Sequence, residues 1–537
     1  MVRDSYLSLN GEWSFAYSED TPTSFDEKII VPFPPESRLS GIERSHKDNE
    51  KLYYKRSFTI PDGFIKSKLI LHLGAVDQIC EVTVNGKFIG RGEGGYLPHS
   101  FDITDAANEG KNEITVIATD TLSKLYPYGK QRKKRGGMWY TPISGIWQSV
   151  WIESLPEKAI RDVRITASCD KATLEVITDA EDITAVIENA EVTRDGRVFT
   201  VTPNEKKLWT PDTPYLYYFK IKTETDEVTC YFALREIGVD DFNGVKRLTL
   251  NGKPYLFNGL LDQGYFPDGI YLPKSSEGYE KDILTAKSLG FNTLRKHIKI
   301  EPEIFYHLCD KLGMVVFQDM VNNSGYSFIR DTALPTIGMK RFPDKFLHRN
   351  KKSRQIFIDE MKRTMEHLYS YPSVLYYTIF NEGWGQFNAD KAYEIAKQID
   401  ETKIIDSTSG WFKQKKSDVE SHHVYFKKLA AKKSFDRPVV ISEFGGYSLR
   451  IPGHLFGSKN YGYKTFKNEK DFEDAVVDLY ENEALPLVES HISALIYTQI
   501  SDIEDETNGF MTYDREVLKV NEERIKQTFK KLENSIK

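Results

Sequence analysis

Cysteine is scarce in this sequence of 537 residues: the four present, Cys80, Cys169, Cys230 and Cys309, stand far apart and form neither a metal-type nor a redox-type spacing. That excludes a disulfide-built scaffold, and a reduced, cytoplasmic setting is expected. No apolar run reaches the length of about 18 residues that a membrane-spanning helix needs. The first residues, Met1-Val2-Arg3-Asp4-Ser5, contain no apolar leader segment. Charge of one sign is missing too. The formal net charge is −6 with acids and bases interspersed, so neither nucleic acid nor an anionic membrane is an expected partner. There is no solenoid repeat and no low-complexity tract, and the lysine-rich stretch Lys413 to Lys416 reads as a solvated loop. What remains is an ordinary globular profile, 40% hydrophobic and 28% charged. It is rich in aromatics, with 7 Trp, 30 Tyr and 31 Phe. Aromatic faces stack on the apolar faces of sugar rings, although most such residues in any protein are simply core.

A chain this long needs more than one core. Residues 1–156 read as strands and turns. Val82-Thr83-Val84-Asn85-Gly86-Lys87-Phe88-Ile89 is a hairpin signal, because Asn-Gly accepts the positive φ angles of a type I′ turn. Trp13, Phe15, Trp139, Trp147 and Trp151 offer bulky side chains for the core of a jelly-roll sandwich. Residues 157–239 continue as short strands, such as Ala172 to Val176 and Tyr217 to Lys222, and suit an immunoglobulin-like sandwich. From 240 to 537 the texture becomes helix, glycine, buried strand. Ile304, Phe305, Leu308, Cys309 and Leu312 mark one helical face, Gly313 stops it, and Met314 to Phe317 follows as a strand. Val374 to Phe380 is almost continuously apolar, and the next helix has Asn388 at its expected cap. These are parallel βα units, and the roughly 290 residues available for them suit a closed (β/α)8 barrel better than an open sheet.

Barrel enzymes carry their chemistry at the carboxyl ends of the strands. Glu382 stands there after Tyr376 to Phe380 and Asn381; Glu443 stands there after Pro438 to Ser442, with Gly445 and Gly446 following to turn the backbone. Two facing carboxylates are the minimum for cleaving a glycosidic bond, one attacking or activating while the other protonates the leaving oxygen. A lone glutamate at a strand end is more often a structural ion-pair partner.

The motifs around these residues resemble glycoside hydrolase family 2. Tyr371-Pro372-Ser373-Val374 through Phe380-Asn381-Glu382-Gly383-Trp384 is similar to that family's acid/base segment, and Pro438 through Glu443 to Gly446 to its nucleophile strand. Leu9-Asn10-Gly11-Glu12-Trp13, Trp139-Tyr140-Thr141-Pro142-Ile143-Ser144-Gly145-Ile146-Trp147-Gln148 and Leu248 through Pro254 to Gly259 extend the resemblance along the whole chain. The resemblance implies a β-galactosidase-, β-glucuronidase- or β-mannosidase-like retaining enzyme, with Glu382 as acid/base, Glu443 as nucleophile and Asn381 donating to the sugar 2-hydroxyl. It also implies that Arg295 and His297 line the pocket, with Arg295 alternatively paired to Glu443 for structure. Asp262, Tyr425, Trp384 and Trp411 are further candidate substrate contacts. The magnesium ion that some members bind finds no matching ligands here; no metal and no cofactor are expected, and His422 and His423, being adjacent, cannot both face one site.

The sugar is less legible. The family's glucuronidases read the substrate carboxylate with an Asn-x-Lys element after the last strand; here Phe510 stands at the lysine position, and Asn468-Glu469-Lys470 has the spacing but precedes that strand. A neutral sugar is therefore expected, since a buried uronate without a cation is costly. The last strand, Leu495 to Gln499, lacks the tryptophan of the family's β-galactosidases, and Gln499 is the candidate polar replacement. Against this stand a non-catalytic carbohydrate-binding protein, which would have lost a carboxylate, and a Schiff-base aldolase, which would need a buried lysine and a phosphate loop. A small carbohydrate is the expected partner, and a homo-oligomer is common among relatives.

Overall fold

The computed structural model describes residues 1–339 and 343–536. The chain begins as a β-sandwich. One sheet orders its strands Glu27–Val31, Gly11–Ser18, Lys51–Ile60, Gly110–Thr119, Ile79–Val84 and Lys87–Glu93; the facing sheet contains Tyr6–Ser8, Val150–Leu155, Lys68–Leu73 and His99–Asp102. Alternate residues point inward, so Trp13, Phe15 and Tyr54 meet Leu69, Leu71 and Ile152 in one core. Asn85 and Gly86 take φ of 49° and 78°, as the hairpin reading requires. Three of the five bulky residues assigned to this core lie elsewhere. Trp139 and Trp147 belong to a separate cluster with Tyr271, Ile298 and Trp384, where the sandwich meets the barrel. Trp151 stacks on His72 outside the core.

A second sandwich follows. Ile160–Ala167, Ala172–Thr178, Val198–Pro203 and Ala190–Asp195 form one sheet, and Thr184–Val186, Tyr217–Lys222 and Glu227–Phe232 the other. Leu174, Val176 and Phe199 pack on Phe219, Ile221 and Val228. The hairpin of Ile237–Phe242 with Val245–Leu250 spans the point where the barrel was expected to start. Leu248 and Leu250, with Trp209, pack against Phe257, Phe317 and Tyr376 at the amino end of the barrel.

The barrel strands are β1 (Phe257–Asp262), β2 (Thr293–Lys296), β3 (Val315–Asp319), β4 (Val374–Asn381), β5 (Ile404–Ser409), β6 (Glu420–Val424), β7 (Val439–Gly445) and β8 (Ile492–Thr498). They are parallel and pair in the order 5-4-3-2-1-8-7-6. Across the β5–β6 seam, Asp418 N donates to Ile405 O at 3.0 Å and the Ser409 hydroxyl meets His423 at 2.7 Å. Seven of the strands are buried throughout or nearly so, because helices such as Ser276–Ser288, Glu303–Leu312, Lys351–His367 and Ala389–Ile399 cover them. No helix is assigned between β5 and β6 or between β6 and β7. Asn388 stands at the start of its helix but makes no side-chain cap; the Ala389 N–H donates instead to Asp344. Among the described residues no helix is long and apolar enough to cross a membrane.

Candidate active site

The backbone prepares the site before any side chain is considered. Glu382 follows β4 with φ of +52°, and Gly383 after it with +72°. A non-glycine residue in that region is strained, and such strain persists where surrounding structure enforces it. Here the Glu382 N–H donates to Ser409 O at 3.0 Å, and the Glu382 carbonyl accepts from the Trp411 indole at 2.9 Å. On the opposite wall the β6–β7 register slips, so that His422 faces Ile441 but His423 faces Glu443. The slip is a bulge, and it aims His423 and Glu443 at the same space.

The two glutamates meet there. An oxygen of Glu382, a ring nitrogen of His423 and an oxygen of Glu443 all lie within 4.8 Å of one another. That matches the spacing of about 5 Å for double displacement rather than the 6.5–9.5 Å or so that admits a water between the carboxyls. Each carboxylate is held differently. Glu443, 5% exposed, accepts from Arg295 at 3.0 Å on Oε1 and from the Tyr425 hydroxyl at 2.8 Å on Oε2. Glu382 Oε1 is 2.7 Å from His423 Nδ1.

Arg295 organises the floor. Its guanidinium also donates to Asp319 (2.9 Å), Asn381 Oδ1 (2.9 Å) and Ser442 O (2.8 Å). Burial works against its charge, and Asp319 and Glu443 outweigh it, raising its pKa above the usual value. His297 Nδ1 meets Asp319 at 2.7 Å. Burial, with the Lys130 charge, pushes the imidazole well below its usual range, so it is neutral.

The pocket above is lined by Asn381, Glu382, Glu443, His297, Tyr425 and Trp384 among the residues expected from the sequence. Arg295 lies beneath it, holding Glu443 and Asn381. Three other expected contacts are turned elsewhere. The Asp262 carboxylate pairs with Lys296 at 2.7 Å, which lowers its pKa although burial opposes the shift. Gln499 is fully buried, accepting from Gln263 and donating to Asn508, both at 2.7 Å. Trp411 braces the Glu382 backbone from behind. Phe510 is core, packed on Phe291 and Tyr497, and Asn468 caps the helix Glu469–Asp478, which accounts for its chance motif.

Sequence reading missed several lining residues. Lys130, Met138 and Trp139 come from the first sandwich, and Tyr463 and Glu506 from loops of the barrel. Glu506 accepts from the Tyr140 hydroxyl and from Asn508 Nδ2 at 2.9 Å. Burial raises its pKa and Lys130 opposes the rise. His423 was recoverable, since residues i and i+2 of a strand share a face and Tyr425 was already placed inward. Among the described residues one other trio of ligand-type side chains clusters, His454, Asp514 and Glu516, at the surface.

These features define a site of two facing carboxylates at the mouth of a parallel barrel, and comparison with known proteins identifies the family. The TIM barrel domain of glycosyl hydrolases family 2 matches residues 243–533, the family's sugar binding domain 41–156, and a further domain of the family 151–235. The chain belongs to glycoside hydrolase family 2. It is 26% identical over 380 residues to a β-galactosidase of Thermoanaerobacter pseudethanolicus, covering 65% of this chain and 50% of that protein. It is 22% identical over 554 residues to a β-galactosidase of Kluyveromyces lactis, covering 90% and 51%. The chain thus spans about half the length of these curated relatives. In fold it is similar to a β-D-glucuronidase of Dictyoglomus thermophilum, with TM-score 0.77 at 18% identity over 98% of this chain and 97% of that one. A β-galacturonidase of Eisenbergiella tayi bound to galacturonate gives TM-score 0.71 at 18% identity, over 99% and 98%.

Proposed function

We propose that this protein is a retaining exo-β-glycosidase that removes a terminal neutral sugar, of galactose type in the first instance, from short oligosaccharides or glycosides. The observation that carries the proposal is the meeting of Glu382 and Glu443 within 4.8 Å at one pocket. Glu443, positioned by hydrogen bonds from Arg295 and Tyr425, attacks the anomeric carbon. Glu382 protonates the leaving oxygen and then takes a proton from water as the glycosyl-enzyme is hydrolysed. Asn381, with its Oδ1 fixed by Arg295, offers its amide to the 2-hydroxyl. Trp384 and Trp139 supply apolar wall.

The preference for a neutral sugar rests on charge. Lys130 is the one lysine or arginine lining the pocket among the described residues, and Glu506 lines it too. A carboxylate accepts sugar hydroxyls and repels a substrate carboxylate, and it offsets the Lys130 charge that a uronate would need. The specific observation favouring the opposite reading is Lys130 itself, as a uronate partner. Nitrophenyl galactoside, glucoside, mannoside, arabinofuranoside, galactofuranoside, glucuronide and galacturonide decide between them. The expected outcome is hydrolysis of a neutral glycoside with retention at the anomeric carbon, at least about 100-fold faster than either uronide. Turnover confined to the uronides assigns Lys130 to the substrate carboxylate, and binding without turnover makes the protein a lectin. Cytoplasmic residence, which four unbridged cysteines suit, and self-association belong to the same proposal.

A further inference from the structure

Along the wall beyond the ends of β1 and β8 the hydrogen bonds close into a ring. Gln263 Nε2 donates to the Tyr140 hydroxyl and to Gln499 Oε1, both at 2.7 Å. Gln499 Nε2 donates to Asn508 Oδ1 at 2.7 Å, and Asn508 Nδ2 to Glu506 Oε1 at 2.9 Å. The Tyr140 hydroxyl donates to Glu506 Oε2 and completes the circuit. All five residues are buried. Gln263 and Glu506 line the pocket, and the other three do not.

Because the ring is closed, the three amides have one consistent orientation. Reversing one or two of them sets two carbonyls or two amino groups face to face. Reversing all three leaves three contacts, Asn508 to Glu506, Glu506 to Tyr140 and Tyr140 to Gln263, with two hydrogens to share even if Glu506 is protonated. Both hydrogens of Gln263 Nε2 are therefore used within the wall, and its remaining atom is Oε1. Among the described residues that line the pocket, Gln263 Oε1 is the one buried side-chain oxygen or nitrogen without a hydrogen-bond partner. A buried acceptor left unpaired is costly, and the partner it lacks is a donor. Glu506, joined to Gln263 through Tyr140, has a lone pair left on each oxygen after the bonds of the ring are made.

Gln263 follows β1 and Glu506 follows β8, and in the strand order these lie across the barrel mouth from β4, which ends in Asn381. With the anomeric carbon between Glu382 and Glu443 and the 2-hydroxyl at Asn381, a hexopyranose turns toward the β1–β8 wall the edge opposite C1–C2. That edge is C4–C5, with the 4- and 6-hydroxyls. We propose that Gln263, through Oε1, and Glu506 are the specificity-determining residues of the sugar site, accepting hydrogens from the 4- and 6-hydroxyls of the terminal hexose, and that Tyr140, Gln499 and Asn508 are positioning residues. The inference rests on the reading of the protein as a glycosidase of neutral sugars. Two acceptors make a hydroxyl obligatory at each point. A deoxy carbon leaves an acceptor unpaired, and a carboxylate at C6 sets lone pairs against lone pairs.

The test uses the full chain and the nitrophenyl β-glycoside of the neutral hexose it turns over fastest, together with the 4-deoxy and 6-deoxy forms of that glycoside. For the wild type we expect each deoxy form to lose about 10–100-fold or more in kcat/KM, because a site built around a hydroxyl rejects the analogue that lacks it. Gln263→Met keeps the length of the side chain and removes the carbonyl. In this variant kcat/KM for the parent glycoside is expected to fall to within about threefold of that for one deoxy form, while that deoxy form itself changes less than about threefold. A purely structural role slows all three glycosides alike. A wild-type loss of less than about tenfold on either deoxy form overturns the proposal without any variant, and equal loss on all three glycosides in Gln263→Met overturns it too. Failure of the wild type to hydrolyse any neutral hexoside instead overturns the reading on which the proposal rests.

Discussion

In the proposed reaction two carboxylates of the same residue type do opposite work, and their neighbours differ accordingly. Glu443 faces a guanidinium and a phenol, both donors. Glu382 faces an imidazole that can give or take. This difference in partners, with Glu382 the more exposed of the two at 20% of its side chain against 7%, frames what removing each one does. Glu443→Ala removes the proposed nucleophile, and the loss in kcat is expected on the order of 10⁴-fold or more for every leaving group. Glu382→Ala removes only proton transfer, which contributes about 10²–10⁴-fold. A dinitrophenyl glycoside, which needs no proton to depart, is expected to keep a near wild-type rate of glycosylation in a stopped-flow burst, while a methyl glycoside is not cleaved measurably. Glu443→Ala with wild-type turnover, or Glu382→Ala slowing both substrates alike, contradicts the assignment.

At the scale of elements, strand periodicity and glycine placement were readable from the sequence, and the ends of side chains were not. The run Val374 to Phe380 and the helix–glycine–strand succession located β3 and β4, because burial on both faces and a left-handed stop leave local marks: Gly313 has φ of +76°. Asp262 and Gln499 sit at the ends of β1 and β8, where chemistry was expected. Their carboxylate and amide are claimed by Lys296 and by Gln263 with Asn508, partners distant in sequence that no local pattern announces. The same limit hid the origin of Trp139, whose strand-like context reads as sandwich core. Gly445 is an element-scale feature with a sharp consequence. Its φ is +80°, and an added Cβ falls 2.2 Å from the Tyr497 ring, which is buried between Phe444, Tyr480 and Phe510. Gly445→Ala therefore strains the backbone and forces the ring to move. The expected cost is about 2–4 kcal/mol in chemical denaturation, with activity reduced further because Glu443 is two residues away. An unchanged denaturation midpoint means that β7 ends with more freedom than its geometry implies.

At the scale of the molecule, the first sandwich is part of the site. Trp139 is 7% exposed and packs edge-on against Trp384 at 5.2 Å and Tyr326 at 5.1 Å; both line the pocket, as do Lys130 and Met138. Tyr140, next in the chain, holds Glu506. A barrel with all its own residues intact would lack this wall, so sugar binding depends on how the two domains dock as well as on the carboxylates. The prediction follows from comparing two tryptophans of one domain. Trp139→Ala leaves a cavity at the domain junction, expected to cost about 3–5 kcal/mol in stability, and removes an aromatic face from the pocket. We expect kcat/KM to fall by about 10–100-fold, mostly through KM, because Trp139 supplies apolar wall rather than a reacting group and acts on ground state and transition state alike. Trp151→Ala removes a ring of the same size from the same domain, but one that stacks on His72 away from the barrel, and kcat/KM is expected to stay within about twofold. If the two variants lose activity equally, the first sandwich acts only as a scaffold and the pocket belongs to the barrel alone.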